Sequence, residues 1–273
     1  MTAPAPLPYI PLPVQKSFVQ EQDFAARQYR GKRDNQEDYY AFADAAEPGD
    51  VSLEKLLLVV GDGLGAHAGG SVASYIGVNA FVRAFHEQVG SPSWRLRSAV
   101  DTANETLGYI TSRMPSVAPP MGTTMLAALT SKAHMEWISV GDSPLFLYRK
   151  GSLIRLNADH SLTPLLEERV KQGQMTEEEA AHHPDRHTLQ SALLGYPIAL
   201  IDFPPEPLPL QSGDIIIAAS DGIFTLTNKA LEELLGFGRH TTADKITDAI
   251  LFAVRRINFE RQDNLTVGIV KIP

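Results

Sequence analysis

Three aliphatic segments of this chain end in the same way. Leu58-Val59-Val60 runs into Gly61-Asp62-Gly63, Ile138-Ser139-Val140 into Gly141-Asp142-Ser143, and Ile216-Ile217-Ala218-Ala219 into Ser220-Asp221-Gly222. Each reads as a strand that delivers an aspartate between residues too small to crowd it. A fourth acidic group reverses the order, with Arg261-Gln262-Asp263-Asn264 preceding Leu265–Ile272. One such aspartate would ordinarily cap a turn. Three repeats of the device point further. If the strand ends converge, the carboxylates repel one another unless a cation bridges them. The candidate donors are oxygens, with no cysteine in the 273 residues and no histidine pair at zinc spacing. That set favours hard Mg²⁺ or Mn²⁺, and two such ions are a standard device for hydrolysing phosphate esters. Glycine beside the aspartate also lets a backbone carbonyl approach as a ligand.

The remaining strand signals are Thr123–Leu129, Leu145–Tyr148 and Leu153–Leu156. Ser131-Lys132-Ala133 and Arg149-Lys150-Gly151-Ser152 read as hairpin connections, the second with the glycine such turns favour. Successive hairpins mean antiparallel sheet. Helical spacing of apolar residues marks Gly69–Gln88, Ser93–Ser112, Leu165–Gln172, Thr176–His182 and Thr241–Ile257. Thr176 with Glu179 has the form of a capping box. This grouping predicts an α+β fold, sheets packed together with helices outside. No internal repeat or Gly/Ser linker divides the chain, so one domain is expected over residues 14–273. Residues 1–13 form a proline-rich N-terminal arm, with Pro4, Pro6, Pro8, Pro11 and Pro13 favouring an extended conformation.

Other function classes fare worse. Gly61, Gly63 and Ala66 match a dinucleotide fingerprint, but the helix after them leads into Val89-Gly90-Ser91-Pro92 rather than a second strand. Asp62 would also repel a pyrophosphate there. A net charge of −8 gives no broad basic surface for nucleic acid. No apolar run approaches the length of a membrane span. Without cysteine, a cysteine-nucleophile phosphatase is impossible.

Near the N-terminus, Gly31-Lys32-Arg33-Asp34-Asn35-Gln36-Glu37-Asp38 adds two carboxylates and an arginine whose guanidinium matches phosphate oxygens. With this element the chain resembles the metal-dependent protein serine/threonine phosphatases of type 2C, in the form of a bacterial-style single-domain member. The likeness spans roughly residues 24–272 and is an ordered series: GKRDNQED, GDGLGAHAGG, MGTTMLAAL, ISVGDSPLFLYRKG, the flap-like segment from Asp159 to Gly195, AASDGIF and RQDNLTVGIV.

The resemblance implies a four-layer α–β–β–α sandwich, two antiparallel β-sheets flanked by helices. It implies that Asp62 bridges two metal ions, that the Gly63 carbonyl binds one, and that Glu37 and Asp38 act at the metals directly or through water. Asp221 and Asp263 would ligate the other ion. Asp142, with Asp221, would hold a weaker third. Arg33 would hold the substrate phosphate. The implied reaction is attack on phosphorus by a metal-bridging hydroxide, without a phosphoenzyme. The implied substrate is a phosphoserine or phosphothreonine protein, itself the target of a serine/threonine kinase, and the enzyme is expected to be a cytoplasmic monomer with a flap over about 159–205. Two departures stand out. The family's Gly-Asp-Ser-Arg reads Gly141-Asp142-Ser143-Pro144, and Leu64 stands where some members carry a histidine, with His67 nearby. His160, His182, His183 and His187 are expected on the surface of the flap. The competing readings are a catalytically weak regulatory or binding module of the same fold, and an enzyme acting on small phosphoesters.

Overall fold

In the computed structural model, the described residues are 21–45, 55–65, 69–113 and 121–273. The proline-rich arm and His67 lie outside them. The strands are β1 (Phe24–Tyr29), β2 (Tyr39–Asp44), β3 (Lys55–Gly61), β4 (Gly63–Gly65), β5 (Met121–Thr123), β6 (Met125–Ser131), β7 (His134–Val140), β8 (Leu145–Arg149), β9 (Ser152–Arg155), β10 (Leu208–Pro209), β11 (Ile215–Ala219) and β12 (Leu265–Lys271). The helices are α1 (Gly69–Glu87), α2 (Pro92–Arg113), α3 (Thr163–Lys171), α4 (Glu177–Ala181), α5 (Asn228–Gly238) and α6 (Ala243–Ile257).

Two five-stranded sheets result, one ordered β1-β12-β11-β8-β9 and the other β10-β7-β6-β3-β2, with β4-β5 as a small ribbon beside the second. Every pairing is antiparallel. The layering follows from strand alternation, which sends successive side chains to opposite faces. On β3, Leu56, Leu58 and Val60 face the other sheet and meet Leu145, Leu147, Ile216, Ala218 and Val270. Leu57 and Val59 face outward, into the packing of α1 and α2 through Phe81, Phe85, Leu96 and Leu107. Across the sandwich, Ile215, Ile217, Val267 and Ile269 turn out toward Leu231 and Leu235 of α5 and Ile246, Ile250 and Val254 of α6. Both sheets are thus covered on both faces, which is why their central strands read as unbroken apolar runs rather than alternating ones. The α–β–β–α sandwich expected from the resemblance is the fold observed.

The elements follow the sequence signals closely, with additions. The turn between β8 and β9 has Lys150 at φ 52° and Gly151 at φ 92°, the positive values that two-residue hairpin turns of the primed type need. The capping box of α4 is formed: Thr176 accepts from the Glu179 amide and the Glu179 side chain accepts from the Thr176 amide. Strands β1, β2, β4 and β10 and helix α5 carried no expectation. The expected strand Thr123–Leu129 is split at Thr124, with Thr123 ending β5 of the small ribbon and Met125 opening β6 of the main sheet.

Register places the chemistry. Tyr39 pairs with Gly61, Val60 with Leu126, and Met125 with Val140. The start of β2, the end of β3 and the end of β7 therefore share one edge, and with them Asp38, Asp62 and Asp142. In the other sheet Tyr29 pairs with Leu265 and Ala219 with Val267. The end of β11 and the start of β12 share an edge too, which carries Asp221, Asp263 and the 30–34 loop.

Candidate active site

The loop that brings in Arg33, Glu37 and Asp38 is fastened to the start of β12. Asn264 is the fastener: its side-chain amide donates to the carbonyls of Arg30 and Asn35, and its Oδ1 accepts from the Glu37 amide at 2.7 Å. Lys32 donates its amide to the Gln262 carbonyl. Gly31, at φ +66°, passes so close that a Cβ there would lie 2.3 Å from the Asp263 carbonyl oxygen. Only glycine fits such an approach and such a φ.

Asp38 is buried. Its Oδ2 accepts from Ser220 Oγ at 2.7 Å and from Thr266 Oγ1 at 2.9 Å, which ties the start of β2 to both β11 and β12. Its Oδ1 is buried without a hydrogen-bond partner of good geometry, though the Asp62 carboxyl is close enough to act on Asp38. Asp62 is set by its backbone rather than its side chain. Its amide donates to Thr124 Oγ1, and its carbonyl accepts from the Thr124 amide and Thr123 Oγ1. Gly63 then donates its amide to the Glu37 carbonyl. A Cβ on Gly63 would lie 2.1 Å from the Gly70 carbonyl oxygen, so this turn, too, admits no side chain. At the Asp142 turn, Gly141 donates its amide to Nδ1 of His160, and Asn157 donates to the Ser143 carbonyl while accepting from the Leu145 amide. Asp221 opens a 3-10 turn, Asp221–Thr225, and its Oδ1 is likewise buried without a donor.

These carboxyls lie within one another's electrostatic influence. Burial holds the Asp62 carboxyl well above the usual aspartate range, and the charges of Asp38, Asp221, Asp142 and Asp263 add to the effect. Asp38 is pushed up to about 7, by burial first, against the hydrogen bonds from Ser220 and Thr266. Asp221 is pushed up to about 8 by burial, then by Asp142, Asp263 and Asp38. Asp142 rises to about 6 through burial and the charge of Asp159. Glu37 rises by burial, offset by Arg33. A set of carboxyls that disfavour each other's charge is stabilised by a cation among them. The two donorless buried oxygens, on Asp38 and Asp221, are the kind of group that must find a partner, and the chemistry of this donor set fits a hard divalent ion. Among the described residues, no three His, Cys, Asp or Glu side chains are gathered tightly enough to hold an ion as they stand.

All the candidates named from the sequence thus lie at one end of the sandwich. One is engaged differently from its expected role: Arg33 is exposed and donates through Nη2 to Asp263 Oδ2 at 2.5 Å. His160 corrects an expectation. It is buried, 4 % exposed, and grips the Asp142 turn from below, accepting from the Gly141 amide while its own amide donates to the Gly141 carbonyl. His182 and His187 are exposed and His183 is half-buried. The residues that fix the carboxylates or the turns carrying them carry no signal of that role in the sequence: Ser220, Thr266, Asn264, Thr123, Thr124, Asn157 and Arg155. Ser220 and Asn264 sit inside segments singled out for their aspartates. Their role depends on partners more than 40 residues away, which no local pattern signals.

The family profile described as protein phosphatase 2C matches residues 35–248. The chain belongs to the protein phosphatase 2C family. Membership makes it an enzyme, a phosphoprotein phosphatase. It is 28 % identical over 222 residues to the serine/threonine phosphatase stp of Listeria innocua, covering 79 % of this chain and 84 % of that one. Among solved structures it is similar to the S. agalactiae serine/threonine phosphatase, with 28 % identity, a TM-score of 0.75, and 92 % and 99 % of the two chains covered. It is also similar to the catalytic domain of the serine/threonine protein phosphatase PstP in complex with two manganese ions, with 25 % identity, a TM-score of 0.70, and 91 % and 96 % covered. No helix of this phosphatase, among the described residues, is long and apolar enough to cross a membrane.

Proposed function

We propose that this phosphatase hydrolyses phosphoserine and phosphothreonine in proteins at the carboxylate cluster, with Glu37, Asp38, Asp62, the Gly63 carbonyl, Asp221 and Asp263 holding two Mn²⁺ or Mg²⁺ ions and Asp142 sharing a weaker third with Asp221. The observation that carries the reading is the convergence of Asp38, Asp62, Asp142 and Asp221 at neighbouring strand ends, with two of their buried oxygens lacking hydrogen-bond partners and all four carboxyls raised by burial. The two manganese ions of PstP support it. When bound, such ions lower the pKa of water and neutralise charge on phosphoryl oxygens.

The chain's own groups do the positioning. Ser220 and Thr266 occupy one oxygen of Asp38 and leave the other to face inward. The backbone bonds of Asp62 to Thr123 and Thr124 fix where its carboxylate starts from. Arg33, at the exposed rim, supplies a guanidinium fork for two phosphate oxygens. In the free enzyme Asp263 neutralises that fork, and a substrate phosphate takes over as its partner. A cation held by Asp263 would free the Arg33 fork from this pairing and leave it for the phosphate. The flap, residues 159–205, is anchored where Leu193 pairs with Thr123 and Asp202 with Ser139, so that its exposed face beside the site selects the protein substrate. A cytoplasmic monomer opposing a serine/threonine kinase completes the proposal, and the cysteine-free composition is compatible with it.

The test is phosphate release from a phosphothreonine peptide with Mn²⁺, with Mg²⁺ and with chelator, comparing wild type with Asp62→Asn. Metal-dependent turnover in the wild type, abolished in a folded Asp62→Asn variant, is the expected result. Turnover that survives in the variant removes Asp62 from the metal site. A folded wild type that is silent with every metal refutes the reading.

A further inference from the structure

The sequence leaves the Asp142 turn without the arginine expected beside it, since Pro144 stands there. The fold supplies a guanidinium from another strand. Arg155 ends β9, paired with Phe146 of β8, and its side chain reaches back under the turn. Nη2 donates to the Asp142 carbonyl at 2.9 Å, and Nη1 donates to Asp159 Oδ2 at 3.1 Å. The other oxygen of Asp159 accepts from the Ser161 amide, where the chain enters the flap. The guanidinium also lies 5.7 Å from the centre of the Phe224 ring, and Phe224 belongs to the short turn that begins with Asp221. Three pieces of chain therefore meet on one side chain: the Asp142 turn, the root of the flap and the Asp221 turn.

Neighbouring contacts do not duplicate this. Asn157 and His160 hold the Ser143 carbonyl and the Gly141 amide, and neither spans to Asp221. The Arg155–Asp159 pair is three-quarters buried on the arginine side. Its geometry is better sheltered from solvent than that of a free surface pair, which contributes little.

We propose that Arg155 is a positioning residue that fixes Asp142 relative to Asp221, so that the two carboxylates present a shared site for the weaker cation, and that it links this site to the root of the flap. The inference rests on the metal-site reading above. Arg155 itself touches neither cation nor substrate. It acts through the Asp142 backbone and Asp159, as outer groups that orient ligands do, and removing such a group costs about 10–100-fold in metal affinity.

The experiment uses the full chain freed of metal. Mn²⁺ is titrated calorimetrically into wild type, Arg155→Met, which keeps the apolar stem, and Arg155→Lys, which keeps the charge but reaches one acceptor at a time. Amide hydrogen exchange is followed in the metal-free proteins. Arg155→Met should weaken the weakest class of Mn²⁺ sites by about tenfold or more, leave the tightest class unchanged, and speed exchange at Ser161. Arg155→Lys should fall between it and wild type. Arg155→Lys also carries the test if Arg155→Met does not fold. An unchanged weakest class overturns the proposal, and so does an equal weakening of every class, which would make Arg155 merely structural. A wild type that binds no Mn²⁺ overturns both the proposal and the reading it rests on. A wild type that binds Mn²⁺ in isotherms matching those of both variants overturns the role of Arg155 alone.

Discussion

Replacing a carboxylate of the proposed metal site should make the metal-free protein more stable. Asp142 offers the clearest case. Its side chain is 7 % exposed, and burial, with the charge of Asp159 next, raises it from 3.8 to about 6. An unfolded chain ionises this group near the ordinary value, whereas the folded chain resists doing so. The sign follows: a raised carboxyl pKa means the folded state binds the proton more tightly, so stability is intact below pH 4 and is lost as pH rises through 6. A shift of about two units corresponds to about 3 kcal/mol. Asparagine keeps the shape and removes the charge, so metal-free Asp142→Asn should exceed wild type by up to about 3 kcal/mol at pH 8, or about 6–12 °C in melting midpoint for a domain this size. The assay is thermal unfolding with chelator present, in steps from pH 4 to pH 8. The advantage should be absent at pH 4, grow to pH 6 and then level off. Saturating Mn²⁺ should shrink it, because wild type alone has the full ligand set. A variant no more stable than wild type at pH 8, or an advantage that does not vary with pH, would refute the reasoning.

Two further substitutions probe the rim and the turn. Arg33→Ala should raise the KM for a phosphothreonine peptide by about tenfold or more, as expected for losing a charge-assisted hydrogen bond of about 1.5–3 kcal/mol. The exposed Arg33–Asp263 pair should contribute under about 1 kcal/mol to stability, so steady-state kinetics and a melting curve together separate the roles. An unchanged KM would sink the phosphate-fork assignment. Gly63→Ala should cost about 1–3 kcal/mol or more by forced overpacking, since the new methyl would meet backbone oxygens of Gly70 and Glu37 at 2.1 and 2.4 Å; a melting midpoint within a degree of wild type would contradict that geometry.

How far the sequence could be read depended on how local each signal was. The β3 run of Leu56 to Val60 announces itself because both of its faces are buried, and the Lys150-Gly151 turn and the Thr176 capping box are complete within four residues. Strands β1 and β2 gave no such signal. They are edge strands, and in Phe24-Ala25-Ala26-Arg27-Gln28-Tyr29 only Ala26 is buried. Helix α5 was missed for a related reason: Gly236 and Gly238 weaken its pattern, and tertiary packing of Leu231 and Leu235 overrides them. At the site, the aspartates were legible because each follows or precedes a strong strand. Their supports were not. The Asn264 contacts reach across more than 225 residues, and the buried His160 finds Gly141 from the far side of a hairpin. A histidine's neighbours decide its burial, and no spacing in the chain records them.

If the same carboxylates hold the cation, as proposed, metal binding becomes part of the stability of the fold, with a pH signature of its own. Without a cation, Asp142, Asp38 and Asp221 keep their protons to about pH 6, 7 and 8. Each is raised, so each contributes stability that is present below about pH 4 and is lost as pH climbs through those values. Metal-free protein should therefore melt progressively lower between about pH 4 and pH 8, by more than the roughly 6–12 °C that Asp142 alone implies. A divalent cation at the proposed site would compete with those protons for the same oxygens and bind better as they leave. At about one hundred times its dissociation constant it returns about 2.7 kcal/mol. The gap between melting midpoints measured in Mn²⁺ and in chelator should thus widen as pH rises, with protons released on binding below pH 8. Parallel profiles would mean that the ion and the protons do not share a site, and that the repelling carboxylates are not its ligands. The carboxylates that weaken the metal-free fold at neutral pH are then the groups that make it a cation site.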